Sequence, residues 1–424
     1  MDALPVVVIG AGPVGLAAAA ELRERGLAVV VVERGSRAGA AVAEWGHVRL
    51  FSPWAELIAA PARRLLAATP WVAPGGKDYP TGKAWVREYL EPLAAALGCV
   101  RYDTEVVGVA RRGRDRVVDS GRDTEPLSVH LRRSDGSRDR IVAGALIDAS
   151  GTWTSPNPLG GEGFPAFGEP ADAVTYRVPE IESPSVRARY SGAHTVIAGS
   201  GHSALTAIVA LSQLANDPGT RLTWVLRRGR SESTFGGGEA DELPARGARG
   251  VRAKQAVEDG LLTVVTGFRT AAVESGPDGR VAVVADDGRR VDDVDHVVAL
   301  TGFRPDHSWL SEVRLELDPV LQAPIRLAPL IDPNIHSCGT VYPHGITELT
   351  HPEPGVFLVG MKSYGRAPTF LAMTGYEQVR SIAAALAGDH EAATRVDLAL
   401  PATGVCGGAG LFDDSVGVDS GDRV

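Results

Sequence analysis

The residues most suited to chemistry are the glycines of a turn near the start of the chain, in the segment GAGPVG. In a G-x-G-x-x-G turn the first glycine allows the tight bend and the second lets a pyrophosphate approach the backbone, while the third lets a helix pack on a strand. The helix that follows would direct its free N–H groups and the positive end of its dipole at the diphosphate. We therefore predict that Gly10, Gly12, Pro13 and Gly15 bind a dinucleotide.

The sequence around this turn supports the prediction. Residues 4–8 form an apolar, β-branched run, the segment LAAAAELRERG favours a helix, and residues 27–32 have the composition of a second buried strand. That strand ends at Glu33, where a carboxylate can accept hydrogen bonds from a ribose. A lone G-x-G-x-x-G can be only a turn, but strand, turn, helix, strand and acid together predict a βαβ nucleotide-binding unit.

A second turn of the same kind follows an apolar run that starts at Thr195, and it comprises Gly199, Ser200, Gly201, His202, Ser203 and Ala204. The next apolar run, residues 222–226, ends in Arg227 and Arg228 instead of an acid. A carboxylate would repel a 2′-phosphate, whereas a guanidinium binds it through charge-assisted hydrogen bonds. The second turn is therefore predicted to bind NADPH, with solvated surface arginines as the simpler alternative for Arg227 and Arg228.

Two such turns about 190 residues apart require two βαβ supports, so the predicted fold is α/β with two Rossmann-like dinucleotide-binding domains. Apolar runs that end at Gly151 and Gly302 mark the places where the chain leaves each domain. The alternating segment at residues 128–142 surrounds an Asp-Gly turn and predicts a small antiparallel insertion. Residues 356–359 predict another buried strand, and residues 374–387 a helix.

Composition narrows the function classes. The chain has 424 residues, 44% of them apolar, and a net charge of −9, and only four of its 43 basic residues are lysines. This acidic, evenly distributed charge argues against nucleic acid or anionic membranes as partners, and no apolar run approaches the ~20 residues of a membrane span. Three cysteines without a C-x-x-C argue against a disulfide framework and favour a reducing cytoplasm.

Four segments in this order, VVVIGAGPVGLAAAAEL, IDASGTWTSPNP, HTVIAGSGHSA and ALTGFRPD, resemble two-dinucleotide-domain flavoproteins, above all the class B flavin monooxygenase-like oxidoreductases. HVRLFSPW and YPTGKAWVREYLEPLA also resemble a branch that includes arsenic-resistance flavin monooxygenases, and the resemblance spans roughly residues 4–390. It implies FAD at Gly10, Gly12, Pro13, Gly15, Glu33, Arg34, Arg49, Gly151, Gly360, Thr374 and Gly375. It implies NADPH at Gly199, Gly201, His202, Ser203, Ala204, Arg227, Arg228 and Gly302.

The resemblance also implies how the domains are arranged. An FAD-binding domain is expected to be discontinuous, formed by residues 1–158 and 325–395, with the small antiparallel insertion within it. An NADPH-binding domain, residues 159–324, is inserted between those two parts, and residues 396–424 form a weakly ordered tail rich in Gly, Asp and Ser. A small-molecule substrate and a homodimer are expected for a protein of this kind.

Two segments depart from the pattern of the resembled proteins. In the signature F-x-G-x-x-x-H-x-x-x-Y or F, the segment AFGEPADAVTY retains Gly168 and Tyr176 but has Ala166 and Asp172 where Phe and His are expected. Related reductases also end the last apolar strand in Gly-Asp, with the Asp on the flavin ribityl chain, whereas VFLVG is followed here by Met361-Lys362. The first departure bears on oxygenase chemistry. The second indicates either that the flavin is held differently or that another residue substitutes for the Asp.

The remaining chemistry-bearing residues allow several interpretations. His336, Cys338, His344 and His351 could bind a metal, but their spacing fits no established zinc pattern and no metal is predicted. Cys338, Arg366 and Ser52 are the candidate catalytic residues, with a buried inert thiol as the alternative for Cys338. Cys406 is expected to be a free tail thiol. Five tryptophans could form an aromatic pocket, although domain packing is the commoner role: Trp45, Trp54, Trp71, Trp85 and Trp153.

Three functions are compatible with these residues. The first is a monooxygenase that consumes NADPH and uses a flavin C4a-hydroperoxide to oxygenate a small soft nucleophile or carbonyl. The second is an NADPH-dependent flavin reductase that acts on a thiol, disulfide, quinone or metalloid without oxygen insertion. The third, a nucleotide-binding module without turnover, depends only on Met361 in place of the usual Asp. Because the cofactor performs the difficult chemistry, the first two need few protein acids or bases.

Overall fold

The computed structural model describes residues 4–170, 172–229, 232–241, 243–335, 343–368, 370–396 and 398. They divide into two compact units. Of the described residues, the first contains 4–153, 304–332 and 343–396, and the second contains 154–303 and 333–335. Most of the predicted tail, His336, Cys338 and Cys406 lie outside the described residues. No helix of the described ranges is long and apolar enough to cross a membrane.

The strands are short and rich in β-branched residues. In chain order they are β1 (Val6–Ile9), β2 (Val29–Val32), β3 (Val100–Arg101), β4 (Thr104–Arg111), β5 (Leu127–Arg133), β6 (Arg138–Ala143), β7 (Ala145–Asp148), β8 (Val174–Thr175), β9 (His194–Ala198), β10 (Arg221–Val225), β11 (Thr263–Val265), β12 (Thr270–Ser275), β13 (Val281–Ala285), β14 (Arg290–Val294), β15 (His296–Ala299) and β16 (Val356–Leu358).

The helices are mostly short, and three exceed ten residues. In chain order they are α1 (Pro13–Glu24), α2 (Ala40–Glu44), α3 (Trp54–Leu57), α4 (Ala60–Leu66), α5 (Gly82–Trp85), α6 (Glu91–Leu97), α7 (Pro184–Tyr190), α8 (His202–Leu211), α9 (Pro244–Glu258), α10 (Ala328–Ile331), α11 (Ile346–Leu349), α12 (Ala372–Leu386) and α13 (His390–Thr394).

The first unit is built on a five-stranded parallel sheet with the order β16-β7-β1-β2-β3. Alternate residues of β1 face opposite layers, as the two-residue period of a strand requires. Val8 packs against helices α1 and α12. Val7 packs against the three-stranded antiparallel sheet β4-β5-β6, whose hairpin β5-β6 is the one predicted around the Asp-Gly turn. The parallel sheet is therefore covered on both faces, as its apolar strands predict.

The second unit repeats this plan. Its five-stranded parallel sheet has the order β11-β10-β9-β15-β8, with α8 and α9 packed on one face. A second antiparallel sheet, β12-β13-β14, covers the other face through Val273 and Val283. The sequence prediction did not include this sheet, although Gly279 and Gly288 each follow an aspartate, adopt positive φ and mark its two turns. The α/β class with two Rossmann-like sheets is confirmed, with two antiparallel sheets in place of one.

The unit boundaries differ from the expected domain boundaries. The chain crosses between units at Trp153/Thr154 and Phe303/Arg304, instead of at 158/159 and 324/325. The second difference is the larger, and its cause is apolar packing. Leu310 and Val313 are buried in the cluster that joins β1 and β16 to the antiparallel sheet of the first unit. Residues 304–324 therefore belong with the first unit.

A buried ion triad anchors the start of β16. The Glu353 carboxylate accepts from Arg111 Nε at 2.9 Å and from Arg122 Nη2 at 2.6 Å, and all three side chains are buried. The Arg314 backbone N–H also donates to it, at 3.2 Å. Burial alone would raise the pKa of Glu353, but the hydrogen bonds from Arg122 and Arg111 outweigh that effect and lower the pKa. The triad joins three distant segments of the first unit.

Candidate functional site

The first glycine turn connects β1 to α1, and its geometry explains each glycine. Gly10 has a φ of +97°, and a Cβ there would lie 2.9 Å from the carbonyl oxygen of Ala149. A Cβ on Gly15 would lie 1.9 Å from the carbonyl oxygen of Gly10, so the helix can approach the turn only without a side chain. A Cβ on Gly12 would meet nothing within 4 Å. Open space therefore remains beside Gly12, which precedes Pro13 at the start of α1.

Glu33 lies directly after β2 and supports the same turn. One carboxylate oxygen accepts the Ala11 N–H at 2.7 Å, and the other accepts the Gly35 N–H at 2.7 Å. These bonds orient the carboxylate at the carboxyl edge of the sheet, and each oxygen keeps a further lone pair for a ribose hydroxyl. Arg34, beside it, is exposed. The open space at Gly12, the N-terminus of α1 and the oriented Glu33 together fit the diphosphate and ribose of a dinucleotide.

Other residues predicted to bind FAD surround the carboxyl edges of β7 and β16. Gly151 has a φ of +69°, and a Cβ there would meet nothing within 4 Å. Gly360 donates its N–H to Gln378 Oε1 at 2.7 Å. Thr374 and Gly375 lie inside the first turn of α12, which begins two residues earlier than predicted. A Cβ on Gly375 would lie 2.5 Å from Val14 Cγ2, so close packing of α12 on α1 accounts for this glycine.

A buried ion pair at this edge was not predicted from the sequence. Lys362 Nζ lies 2.6 Å from Asp148 Oδ2, and neither side chain is exposed to solvent. The Asp148 Oδ1 atom accepts from the N–H of Ser150 at 3.0 Å and from its hydroxyl at 2.6 Å. Lys362 Nζ also lies 3.8 Å from the ring centre of Trp309. Burial lowers the pKa of Lys362, and the charge of Asp148 opposes that shift.

The two histidines of the predicted cluster that the structure describes have separate partners. His344 Nε2 accepts from Gln378 Nε2 at 2.8 Å, and the same amide nitrogen donates to Ser363 Oγ at 2.9 Å. His351 Nδ1 accepts the Glu316 N–H at 3.2 Å, and burial lowers the pKa of His351 to about 4. Within the described ranges no group of three His, Cys, Asp or Glu residues is arranged to hold a metal ion.

The remaining candidates for catalysis and FAD binding lie in different environments. Arg49 is exposed and donates to the carbonyl of Tyr79, while Ser52 is buried just before α3. Arg366 is exposed, and its Nε atom donates to Gln322 Oε1 at 3.0 Å.

The tryptophans have packing roles. Trp54 and Trp85 are buried in the core between the parallel sheet and the helices, and Trp45 and Trp71 pack against that core. Trp153 donates to Glu44 at 2.7 Å.

The second glycine turn, between β9 and α8, has the geometry of the first. Gly199 has a φ of +123°, and a Cβ there would lie 2.2 Å from the carbonyl oxygen of Leu300. Gly201 precedes α8, and a Cβ on it would meet nothing within 4 Å. Ala204 is completely buried where the helix meets the sheet. Trp224 on β10 donates from Nε1 to the carbonyl of Gly199 at 2.8 Å, a contact that the sequence prediction missed.

The other predicted NADPH residues lie around this turn. Ser203 and Arg227 are exposed, and Arg228 is partly exposed. His202 is the first residue of α8, and burial, with a further contribution from Arg246, lowers its pKa to about 4. His202 is therefore neutral at pH 7 and adds no positive charge to the turn. Gly302 has a φ of +90° and accepts the Asn157 N–H at 2.9 Å.

The signature-like stretch has a well-defined local structure. Ala166 is buried in the position where Phe is expected, while the neighbouring Phe167 is 82% exposed. Asp172, in the position of the signature His, is also exposed. Tyr176 donates from its hydroxyl to Glu169 Oε1 at 2.5 Å. The retained Tyr thus stabilises the loop, and the buried aromatic ring expected at residue 166 is replaced by a methyl group.

A match to one protein-family model shows which family the chain belongs to. The model described as pyridine nucleotide-disulphide oxidoreductase matches residues 4–351. The chain belongs to this family. As a member it is an FAD-dependent oxidoreductase, and the resemblance to two-dinucleotide-domain flavoproteins is confirmed.

The proteins that are similar to this chain include both monooxygenases and reductases. The chain is 30% identical over 199 residues to flavin-containing monooxygenase FMO GS-OX-like 2 from Arabidopsis thaliana, a match that covers 41% of this chain and 42% of that relative. The bacillithiol disulfide reductase Bdr from Bacillus cereus is 19% identical, with a TM-score of 0.66, and the match covers 91% of this chain and 99% of that one. A flavin-containing monooxygenase from Stenotrophomonas maltophilia is 21% identical, with a TM-score of 0.58 over 92% of this chain and 99% of that one.

Proposed function

We propose that this oxidoreductase is a flavin monooxygenase that consumes NADPH and oxygenates a small soft nucleophile or carbonyl. The proposal rests on one observation: the chain has two open glycine turns, at Gly12 and Gly201, and its three cysteines form no adjacent pair. Such a chain has places for two dinucleotides and no C-x-x-C dithiol to relay electrons onward. The redox chemistry is therefore left to the flavin itself.

In this proposal the first unit holds FAD. The N-terminus of α1 and the open space at Gly12 bind the diphosphate, and the Glu33 carboxylate, oriented by the Ala11 and Gly35 N–H groups, accepts from the ribose. When bound, FAD supplies hydride acceptance from NADPH and activation of O₂. One NADPH, one proton, one O₂ and one substrate then give NADP⁺, water and the oxygenated substrate.

The second unit would hold NADPH. The diphosphate would lie at Gly201 and the N-terminus of α8, and Arg227 and Arg228, which follow the end of β10, would bind the 2′-phosphate. His202 is neutral, so the positive charge for phosphate binding comes from these arginines and the helix dipole. The sequence identity to a plant flavin-containing monooxygenase supports the proposed monooxygenase activity, not the choice of nucleotide.

A second candidate function has an observation of its own. Asp172 and Ala166 stand where the resembled signature has His and Phe, and this favours an NADPH-dependent flavin reductase that transfers electrons to a thiol, disulfide, quinone or metalloid. The fold-level likeness to a bacillithiol disulfide reductase is compatible with this candidate.

The two candidates separate in one labelling experiment. Purified protein is incubated with NADPH, methyl phenyl sulfide and ¹⁸O₂, with catalase present to remove free peroxide, and the sulfoxide is analysed by mass spectrometry. The monooxygenase predicts one ¹⁸O atom per sulfoxide and a matching consumption of NADPH. No labelled sulfoxide, together with anaerobic oxidation of NADPH by a quinone or a disulfide, would instead establish the reductase.

A further inference from the structure

The Lys362–Asp148 ion pair lies at the edge of the sheet where a dinucleotide would bind. Asp148 is the last residue of β7, and Lys362 follows the end of β16 by four residues. Ligands of open α/β sheets bind in the crevice outside the carboxyl ends of the parallel strands. Asp148 is at the carboxyl end of β7, and β7 lies between β16 and β1 in the sheet. The pair therefore lies at that crevice.

The pair also fixes the segments around this crevice. Asp148 holds Ser150 through two hydrogen bonds, and Lys362 Nζ reaches the same hydroxyl at 3.2 Å. The segment held in this way contacts the glycine turn, since a Cβ on Gly10 would lie 3.1 Å from Ser150 Cα. On the other side, the ammonium group lies over the ring of Trp309. Breaking the pair would therefore disturb three segments of the first unit.

Charges that are fully buried interact strongly with a ligand that binds beside them. Both side chains have zero exposure, so water screens them little, and a charge left without its partner would act over several ångströms. Reduction adds negative charge to a flavin, which a positive charge nearby stabilises and a negative charge destabilises. The balance between the Lys362 ammonium and the Asp148 carboxylate should therefore affect the reduction potential of a bound flavin.

We propose that Lys362 and Asp148 are paired positioning residues that fix the flavin-binding edge of the first unit and set the flavin's reduction potential through the balance of their charges. The inference rests on the proposed FAD site of the first unit. It assigns a role to two buried charged residues for which the sequence prediction gave none, one of them directly after Met361, which replaces the usual acid.

The test measures the midpoint potential of the FAD-loaded protein by equilibration with redox dyes. Asp148→Asn, which keeps the side-chain shape, removes the nearest counter-charge of the ammonium and should raise the potential, measured at a pH low enough to keep Lys362 protonated. Lys362→Met leaves the carboxylate unbalanced and should lower it. The double variant Asp148→Asn, Lys362→Met removes both charges and should return close to the native potential. A purely structural role would not produce shifts of opposite sign that cancel in the double variant.

Two controls make the outcome decisive. Glu353→Gln breaks another buried ion pair of the first unit, but Glu353 precedes β16 and so lies at the opposite edge of the sheet, and the potential should stay unchanged. Asp148→Asn decides the matter alone where Lys362→Met does not fold, and an unchanged or lowered potential in Asp148→Asn overturns the inference. Wild-type protein that takes up no FAD overturns the proposed FAD site instead, so the two failures are distinguishable.

Discussion

The indole Nε1 atom of Trp224 donates a hydrogen bond of 2.8 Å to the carbonyl oxygen of Gly199, the first glycine of the second turn. Trp224 is completely buried on β10, the strand beside the one that leads into the turn. The neighbouring strand thus holds the turn in place, and the geometry of the proposed second dinucleotide site depends on a side chain 25 residues away in the sequence.

We expect Trp224→Phe to weaken the second site selectively. Loss of the hydrogen bond frees the Gly199 carbonyl, and NADP⁺ binding should weaken roughly fivefold, equivalent to about 1 kcal/mol. Isothermal titration calorimetry measures the effect. Trp71→Phe is the matched control, because Trp71 donates in the same way to the Glu88 carbonyl at 2.7 Å in the first unit. Equal NADP⁺ affinities in the two variants would contradict the prediction.

Gly12→Ala should weaken FAD binding without affecting the stability of the apoprotein, whereas Gly15→Ala should destabilise the fold. The Gly12 methyl meets no protein atom within 4 Å, so the apoprotein should keep its stability while FAD binding falls, because the methyl occupies the space proposed for the diphosphate. The Gly15 methyl would lie 1.9 Å from the Gly10 carbonyl oxygen, and the forced separation of α1 from the turn should destabilise the fold by about 1 to 3 kcal/mol or more. Chemical denaturation of the apoproteins and FAD fluorescence quenching test both. A Gly12→Ala protein that binds FAD normally would refute the site.

The double variant Arg227→Ala, Arg228→Ala should lose its preference for NADPH over NADH. Removing the two guanidinium groups removes charge-assisted hydrogen bonds to the 2′-phosphate, and the ratio of kcat/KM values should fall by about tenfold or more. Steady-state kinetics with both nucleotides provides the measurement. Arg280→Ala, an exposed arginine on the antiparallel sheet of the same unit, should leave the ratio unchanged. An unaltered ratio in the double variant would argue against NADPH as the reductant.

Glu353→Gln should destabilise the first unit by about 3 to 5 kcal/mol at pH 7, because it leaves Arg111 and Arg122 buried without a counter-charge. The pKa of Glu353 is lower in the folded than in the unfolded state, so the stabilisation is present above the ordinary carboxyl pKa and disappears as the pH falls through the folded-state pKa. The difference between variant and native protein in urea denaturation should therefore shrink with acidification. Glu105→Gln, which breaks an exposed pair with Arg132, should cost less than about 1 kcal/mol. A difference that does not depend on pH would show that packing, not charge, is responsible.

The parts of the site that the sequence predicted are the local ones. Gly10, Gly12 and Gly15 are read correctly as a strand-to-helix turn because their spacing, the flanking β-branched run and the helix-forming segment all lie within about 25 residues. Their predicted contact with a cofactor remains a prediction. Gly375 was read as a cofactor residue although its contact with Val14 gives it a packing role, since a small residue near a helix start is compatible with both.

The parts that the sequence did not predict depend on contacts between distant segments. Asp148 and Lys362 are 214 residues apart, and neither the end of an apolar strand at Asp148 nor the position of Lys362 after β16 indicates from the sequence that they form a pair. Trp224 was not among the tryptophans singled out from the sequence, because only the fold brings its indole into hydrogen-bonding distance of the Gly199 carbonyl. The exit expected at Gly302 lies one residue from the unit boundary at Phe303/Arg304, but the short run around Leu310 carries too little periodicity to show that residues 304–324 pack with the first unit.

The division of the first unit among three stretches of sequence has a consequence for its synthesis. Residues 4–153 leave the ribosome without β16, α12 and Glu353, so the edge of β7, the packing face of α1 and the side chains of Arg111 and Arg122 await partners encoded more than 200 residues later. Residues 154–303, which form nearly all of the described part of the second unit, are synthesised before β16 and α12 and can fold while the first unit is still partial. Nascent chains stalled before residue 353 should therefore expose an unfinished apolar sheet to chaperones beside an already folded neighbour.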